Sequence, residues 1–387
     1  MSVVAPRLSA GDGPVVVDAL RSPVGTAGRS LAGVEAADLA APVLRALAGS
    51  EAMAGRQPLE VVLGNCMGPG GNVARVAALT AGLPAAAPAL TVDRQCGSGL
   101  AAIVLAATLL RTDTGVVLAG GVESASTAPW RYWPPGPSGE PRRYERAPFA
   151  PAEVGDPDMG LAADLLAEEC GVSRTRQDEY AARSHALAAA SAAAGVFDEE
   201  LVPVAGVRRD ERPRPGLTVE RLARLRPAFR DGGTVTAGNS CGVNDGAAAV
   251  AVVDHETHRR LRVPGLRVLS AATAGVDPNR PGRGLVPAVR EALDRAGLGL
   301  SALDVVEVNE AFAGQVLASC DELGLDPARV CVQGGALALG HPWGASGALL
   351  VVRLLTQLVR QERGRYGLAA IAVGGGQGVA MVVERCR

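Results

Sequence analysis

The most pointed chemistry in this chain belongs to a cysteine. Cys96 follows the strand-like stretch Ala89–Val92 and stands just before Gly97, Ser98, Gly99 and an all-apolar run. That order puts a thiol at a helix N-terminus, beside unpaired backbone N–H groups and the positive end of the macrodipole. Both favour thiolate over thiol, so the expectation is a lowered pKa and a covalent nucleophile. The flanking glycines let a substrate approach the backbone closely. Most free cysteines are inert packing residues, and Cys66, Cys170, Cys320, Cys331 and Cys386 are read that way.

His341 is wrapped in glycines, Gly334 to Gly347, and is followed by Pro342. A core histidine needs no such permissive backbone. Within reach of Cys96 it would take the thiol proton or donate to a thioester oxygen. The other three histidines, His185, His255 and His258, are read as surface residues. Asn309 ends the apolar stretch Val305–Val308 and opens a helical one at Glu310, so it reads first as an N-cap. A side-chain amide at a strand end can also hold a water or orient an oxyanion contact, but the cap is the preferred reading. Gly374, Gly375 and Gly376 follow the last strand-like run. A plain turn and a backbone N–H donor for a thioester oxygen are both open there.

Composition removes other chemistries. All 38 basic residues are arginine, so Schiff-base lysines and a P-loop lysine are excluded. No His, Cys and Asp spacing fits a metal site, and no G-x-S-x-G follows a strand. A net charge of −2 with 3% aromatic residues argues against nucleic acid and membrane partners. The seven cysteines form no C-x-x-C, and neither a signal peptide nor a membrane-length apolar run is visible. A reduced, cytoplasmic setting is expected.

These residues need a scaffold. Val15–Asp18, Val61–Gly64, Val116–Gly121, Ala248–Val253, Val305–Asn309 and Ile371–Gly374 read as buried strands. Asp38–Leu47, Leu100–Leu110, Leu285–Ala296 and Ala348–Gln361 read as helices, which makes a layered α/β fold. Residues 130–158 are rich in proline and read as a long irregular excursion, followed by a strongly helical Met159–Ala194. Residues 208–230 carry eight arginines against three acids: a solvated face, or a landing site for cofactor phosphates. A repeat is also visible. Gly97–Gly99 and Ala345–Gly347 each open an apolar helix leading to a strand, with Cys96 and His341 just ahead. Two such halves would aim both helix starts at one cleft.

Together the motifs around Cys96, Asn309, His341 and Gly374 resemble the thiolase family over nearly the whole chain. Arg21–Gly25, Gly120–Ser124 and Thr234–Asn239 fit as well. The resemblance implies a thiolase fold: two similar α/β halves related by a pseudo-twofold, residues 1–120 with 244–264 and residues 265–387. Residues 121–243 would be an inserted loop domain that roofs the coenzyme A site. Cys96 would carry the acyl group and His341 would activate it. Asn309 would hold a water that forms one oxyanion hole with His341, and the amides of Cys96 and Gly374 would form the other. Arg214, Met159, Cys241 and Phe312 would contact the coenzyme A thioester, which is a substrate, with no permanently bound cofactor.

Three positions depart from the family pattern. Its second catalytic cysteine, an acid/base on the substrate α-carbon, is Ala372 here. A histidine near the pantetheine is Asp158, and a serine is Cys241. Losing a general base removes about 10² to 10⁴ in rate. The expected function is acyl transfer from acyl-CoA through Cys96 to a carbon acceptor or a heteroatom nucleophile. Decarboxylative condensation like that of ketoacyl synthases, and an impaired scaffold assisting a partner, are the alternatives. The expected assembly is a homodimer or homotetramer, with an acyl carrier protein as an alternative acyl donor.

Overall fold

A computed structural model describes residues 12–53, 55–137 and 139–387; the first eleven residues of the expected N-terminal half lie outside them. The strands of the first part are β1 (Val15–Arg21), β2 (Gly25–Thr26), β3 (Glu60–Gly64), β4 (Ala89–Val92) and β5 (Val116–Ser124). A small hairpin, β6 (Arg131–Trp133) and β7 (Arg142–Tyr144), follows. The rest are β8 (Asn244–Val253), β9 (Gly265–Gly275), β10 (Val305–Val308), β11 (Tyr366–Val373) and β12 (Gln377–Cys386).

The main sheet runs β10-β11-β12-β9-β1-β8-β5-β3-β4. Among the described residues its two parts meet along a short junction, where Val15 and Val16 of β1 pair with Arg267 and Leu266 of β9 and the Val268 N–H donates to the Pro14 carbonyl at 2.9 Å. On one side lie β1, β8, β5, β3 and β4, and on the other β9, β12, β11 and β10. Every residue of β5 and β8 is buried, because helices cover both faces, and such strands read as unbroken Val/Ala runs.

Between the two parts lie the helices Ser98–Leu109 and Trp343–Leu355. They share one apolar cluster with strands of both parts, including Leu100, Ile103, Val351, Leu354, Val250 and Ile371. The less covered side of the first helix, Ala101, Val104, Leu105 and Thr108, is itself almost wholly apolar, which is why Leu100–Leu109 shows no amphipathic period. Their crossing is close. A Cβ on Gly99 would sit 2.8 Å from the Gly344 carbonyl oxygen, and one on Gly347 would sit 2.4 Å from the Leu100 nitrogen. Outer helices, Ala36–Ala48 with Val73–Thr80 and Leu285–Ala296 with Ala313–Leu323, close the remaining faces.

Several expectations need correction. Residues 130–158 are not wholly irregular, since the hairpin β6–β7 forms there, with Trp133 stacked on Tyr144 at 4.9 Å. The segment after it is two helices, Met159–Glu169 and Arg174–Ala193, broken at Gly171 with its φ of +65°. His185 and His258 are buried, not superficial. Each is held by backbone: His185 Nδ1 accepts the Arg214 N–H at 3.2 Å, and His258 Nε2 lies 2.9 Å from the Val263 carbonyl oxygen. No helix among the described residues is long and apolar enough to cross a membrane.

Candidate active site

Cys96 sits in a loop built to present it. Gln95 just before it adopts a left-handed φ of +40°, a conformation that costs energy outside glycine and asparagine. Side chains hold it there. Ser98 Oγ accepts the Arg94 N–H at 2.7 Å and donates to the Gln95 carbonyl at 2.6 Å, while Asp93 accepts the Gln95 N–H at 2.8 Å. The thiol of Cys66 donates to the same Gln95 carbonyl at 3.0 Å. The helix itself begins at Ser98 with Gly97 as its N-cap.

Burial pushes the Cys96 thiol up to about 12, against the expected lowering. The N–H groups of Gly374 and of Cys96 itself aim at the sulfur and favour the thiolate, whereas Glu123 and Asp93 oppose it. Desolvation exceeds the helix-end contribution, because Cys96 packs against the central apolar cluster.

His341 is buried, and burial alone pushes its pKa down to about 3. Its Nδ1 lies 2.5 Å from Ser346 Oγ, and its backbone N–H donates to Asn244 Oδ1 at 2.9 Å. The imidazole is therefore neutral. With a proton on Nδ1 shared with Ser346, Nε2 is the free acceptor. The opposite shifts of Cys96 and His341 favour the neutral thiol and neutral imidazole in the empty site. The proton must move as the thiol attacks.

Asn309 caps no helix. The helix after it starts at Ala313 with Phe312 at the cap position and no side-chain cap. The Asn309 backbone N–H continues the β10–β11 ladder to Ala370 at 3.0 Å, and its side-chain nitrogen stands 3.5 Å from His341 Nε2. Gly374 opens the β11–β12 turn, where Gly375 and Gly376 both have φ of +77°.

One cavity of ≈ 100 Å³ gathers Cys96, His341, Met159, Cys241, Phe312 and Ala372. Asn309 and Gly374 border it through His341 and Cys96. Arg214 is exposed and lies outside the lining. Three positioning residues were not singled out from the sequence. Glu123 at the end of β5 accepts N–H groups of Cys66, Met67 and Gly344 at 3.0–3.1 Å, tying the β3 end to the His341 helix. Ser346 holds the imidazole. Phe149 lies over the glycine turn, so that a Cβ on Gly374 would meet its ring at 2.7 Å. Ser346 had a visible signal, being five residues after His341. Phe149 and the Glu123 contacts arise only in the folded chain.

Residues 14–256 match the family described as thiolase, N-terminal domain, and residues 263–385 match thiolase, C-terminal domain. The chain belongs to the thiolase family and is an acyltransferase. It is 45% identical over 390 residues to the acetyl-CoA acetyltransferase of Pseudomonas aeruginosa, covering 96% of this chain and 99% of that one. It is 44% identical over 392 residues to the beta-ketothiolase of Cupriavidus necator, covering 96% and 98%. The crystal structure of the Bacillus anthracis acetyl-CoA acetyltransferase matches with a TM-score of 0.89 at 37% identity, over 97% of this chain and 100% of that one.

Proposed function

We propose that this protein takes an acyl group from acyl-CoA onto Cys96 and transfers it to the α-carbon of a second thioester, a Claisen-type condensation or its reverse. The observation that carries the reading is the surroundings of the sulfur. Two backbone N–H groups, of Cys96 and Gly374, converge on it, and a neutral His341 lines the same cavity. As Cys96 attacks, Nε2 of His341 takes the proton. The two N–H groups are then free to hold the oxyanion that develops on the acyl carbonyl. Asn309, beside Nε2, holds a water that joins His341 in a second oxyanion site for the acceptor thioester.

Met159, Cys241 and Phe312 border the thioester arm, and Arg214 serves the distant nucleotide end of coenzyme A. The names of the relatives favour coenzyme A over a carrier protein and carbon over a heteroatom acceptor. The division into residues 1–120 with 244–264, 121–243 and 265–387 is supported by the two sheet parts, with the first boundary falling inside β5. A homodimer or homotetramer fits the edge of β4, unpaired among the described residues. The free state of all seven cysteines fits a cytoplasmic setting.

Ala372 lines the cavity, and this favours one second reading, in which the carbanion arises by decarboxylation of a malonyl-type thioester. Incubation with acetyl-CoA followed by intact-protein mass tests the loading step. One added acetyl group is expected, and none on Cys96→Ala. No adduct with any acyl-CoA would leave only a scaffold role.

A further inference from the structure

We propose that Cys241 is the second catalytic thiol of this enzyme, an acid/base on the substrate α-carbon, with Arg212 as the counter-ion of its thiolate. The proposal rests on the acyl-transfer reading above and supplies the proton carrier that Ala372 cannot be.

Three observations carry it. Cys241 lines the same cavity as Cys96, His341 and Ala372. Its loop is pinned there, with the Cys241 N–H donating to the Ala311 carbonyl at 2.9 Å and Ser240 bridged to Phe312. Second, Arg212 packs directly over Gly242, where a Cβ would come 2.1 Å from a guanidinium nitrogen. The bare Gly242 backbone leaves room for the guanidinium beside Cys241. Third, among the described residues no carboxylate pairs with that guanidinium. Its side-chain bond goes to the Leu337 carbonyl at 3.3 Å, and its buried Nε has no partner. The charged neighbours that act on it are Arg214, which repels, and Cys241, which attracts when ionised. A half-buried cation without an anion is costly, and a thiolate at Cys241 relieves that cost.

The proton ledger closes without any outside reagent. During loading, His341 takes the Cys96 proton and the expelled coenzyme A thiolate takes the Cys241 proton, leaving as the free thiol. The Cys241 thiolate then removes an α-proton from the second thioester, breaking C–H and forming S–H. The carbanion attacks the acyl carbonyl on Cys96, C–C forms, and the C–S bond to Cys96 breaks. The imidazolium of His341 returns its proton to Cys96, and both thiols are restored. In the empty site burial and nearby Cys96 hold Cys241 in its thiol form, up to about 12. That is the form that protonates the leaving carbanion when the reaction runs towards cleavage.

The test separates two signals on the full chain: acetylation of Cys96 by intact mass, and α-proton exchange of acetyl-CoA in D₂O together with acetoacetyl-CoA cleavage. Cys241→Ser is expected to lose about 10² to 10⁴ in exchange and cleavage, while Cys96 is still acetylated, more slowly, the coenzyme A thiolate then taking its proton from water. Adding Ala372→Cys to that variant should restore part of the loss. Arg212→Gln should move the rise of exchange with pH to higher pH, since the thiolate loses its cation. Cleavage by Cys241→Ser at the wild-type rate overturns the proposal, as does a wild type that acetylates Cys96 without exchanging the α-proton. If Cys241→Ser fails even to acetylate, Arg212→Gln decides, and an unchanged pH profile overturns the proposal. A wild type that never acetylates Cys96 sinks the acyl-transfer reading itself, and does so on the other signal.

Discussion

Nδ1 of His341 lies 2.5 Å from Oγ of Ser346, within the first turn of the helix that His341 precedes. That contact holds the ring, and the Asn309 side-chain nitrogen 3.5 Å from Nε2 fits Nε2 as the acceptor. Ser346→Ala is expected to slow acetylation of Cys96 by about tenfold to hundredfold, the range for losing an orienting partner, while the fold persists. Single-turnover mass kinetics with acetyl-CoA would measure it. An unchanged rate would falsify the orienting role.

The reactivity of Cys96 towards alkylation follows from its raised pKa. At neutral pH nearly all of it is thiol, so the rate of iodoacetamide labelling should climb about tenfold per pH unit between pH 6 and 9. Peptide mapping of Cys96 gives the rate. A plateau across that range would mean a low-pKa thiolate and contradict the dominance of burial.

Glu307 predicts a stability effect. Burial pushes its carboxyl up to about 7 from 4.5, with Arg353 and Gln357 opposing. The folded state holds this proton to higher pH than the unfolded chain does. The stabilisation is thus complete below about pH 4.5 and is lost as pH rises to about 7. The loss amounts to about 3 kcal/mol. Glu307→Gln should abolish this part of the pH dependence. Urea unfolding of both proteins at pH 5 and pH 8 would show it, and parallel losses in both would refute the assignment.

Gly347→Ala tests the central helix crossing. The added methyl group meets the Leu100 backbone at 2.4 Å, and overpacking of this kind costs about 1–3 kcal/mol. The crossing must open, which parts the loops of Cys96 and His341. Acetylation should fall by about 10², and the thermal midpoint should drop with it. A normal rate with a lowered midpoint would show that the loops are positioned independently of the crossing.

Much of this was legible in the sequence, and the failures have causes. Cys96 and His341 stood out because each precedes a helix opened by small residues. The strands Val61–Gly64 and Val116–Gly121 were visible because strands buried on both faces are unbroken apolar runs. β9 was not, since Gly265–Gly275 carries serine, threonine and glycine where one face is only partly covered. Asn309 read as a cap because a strand end and a helix start look alike locally, and the four residues between Val308 and Ala313 were not visible. The raised pKa of Cys96 was hidden for a different reason. A helix end is a local feature, whereas desolvation comes from both halves of the fold. Glu123 joins residues more than two hundred positions apart, which no local spacing reveals.

The narrow β1–β9 junction has a consequence of its own. Each half of the sheet contributes one reactive loop, so neither half contains an active site. The catalytic distance between Cys96 and His341 is a property of the seam between them. Substitutions deep in either outer layer will leave the chemistry alone unless they tilt one half against the other. Those that do tilt it will inactivate a protein that remains fully folded.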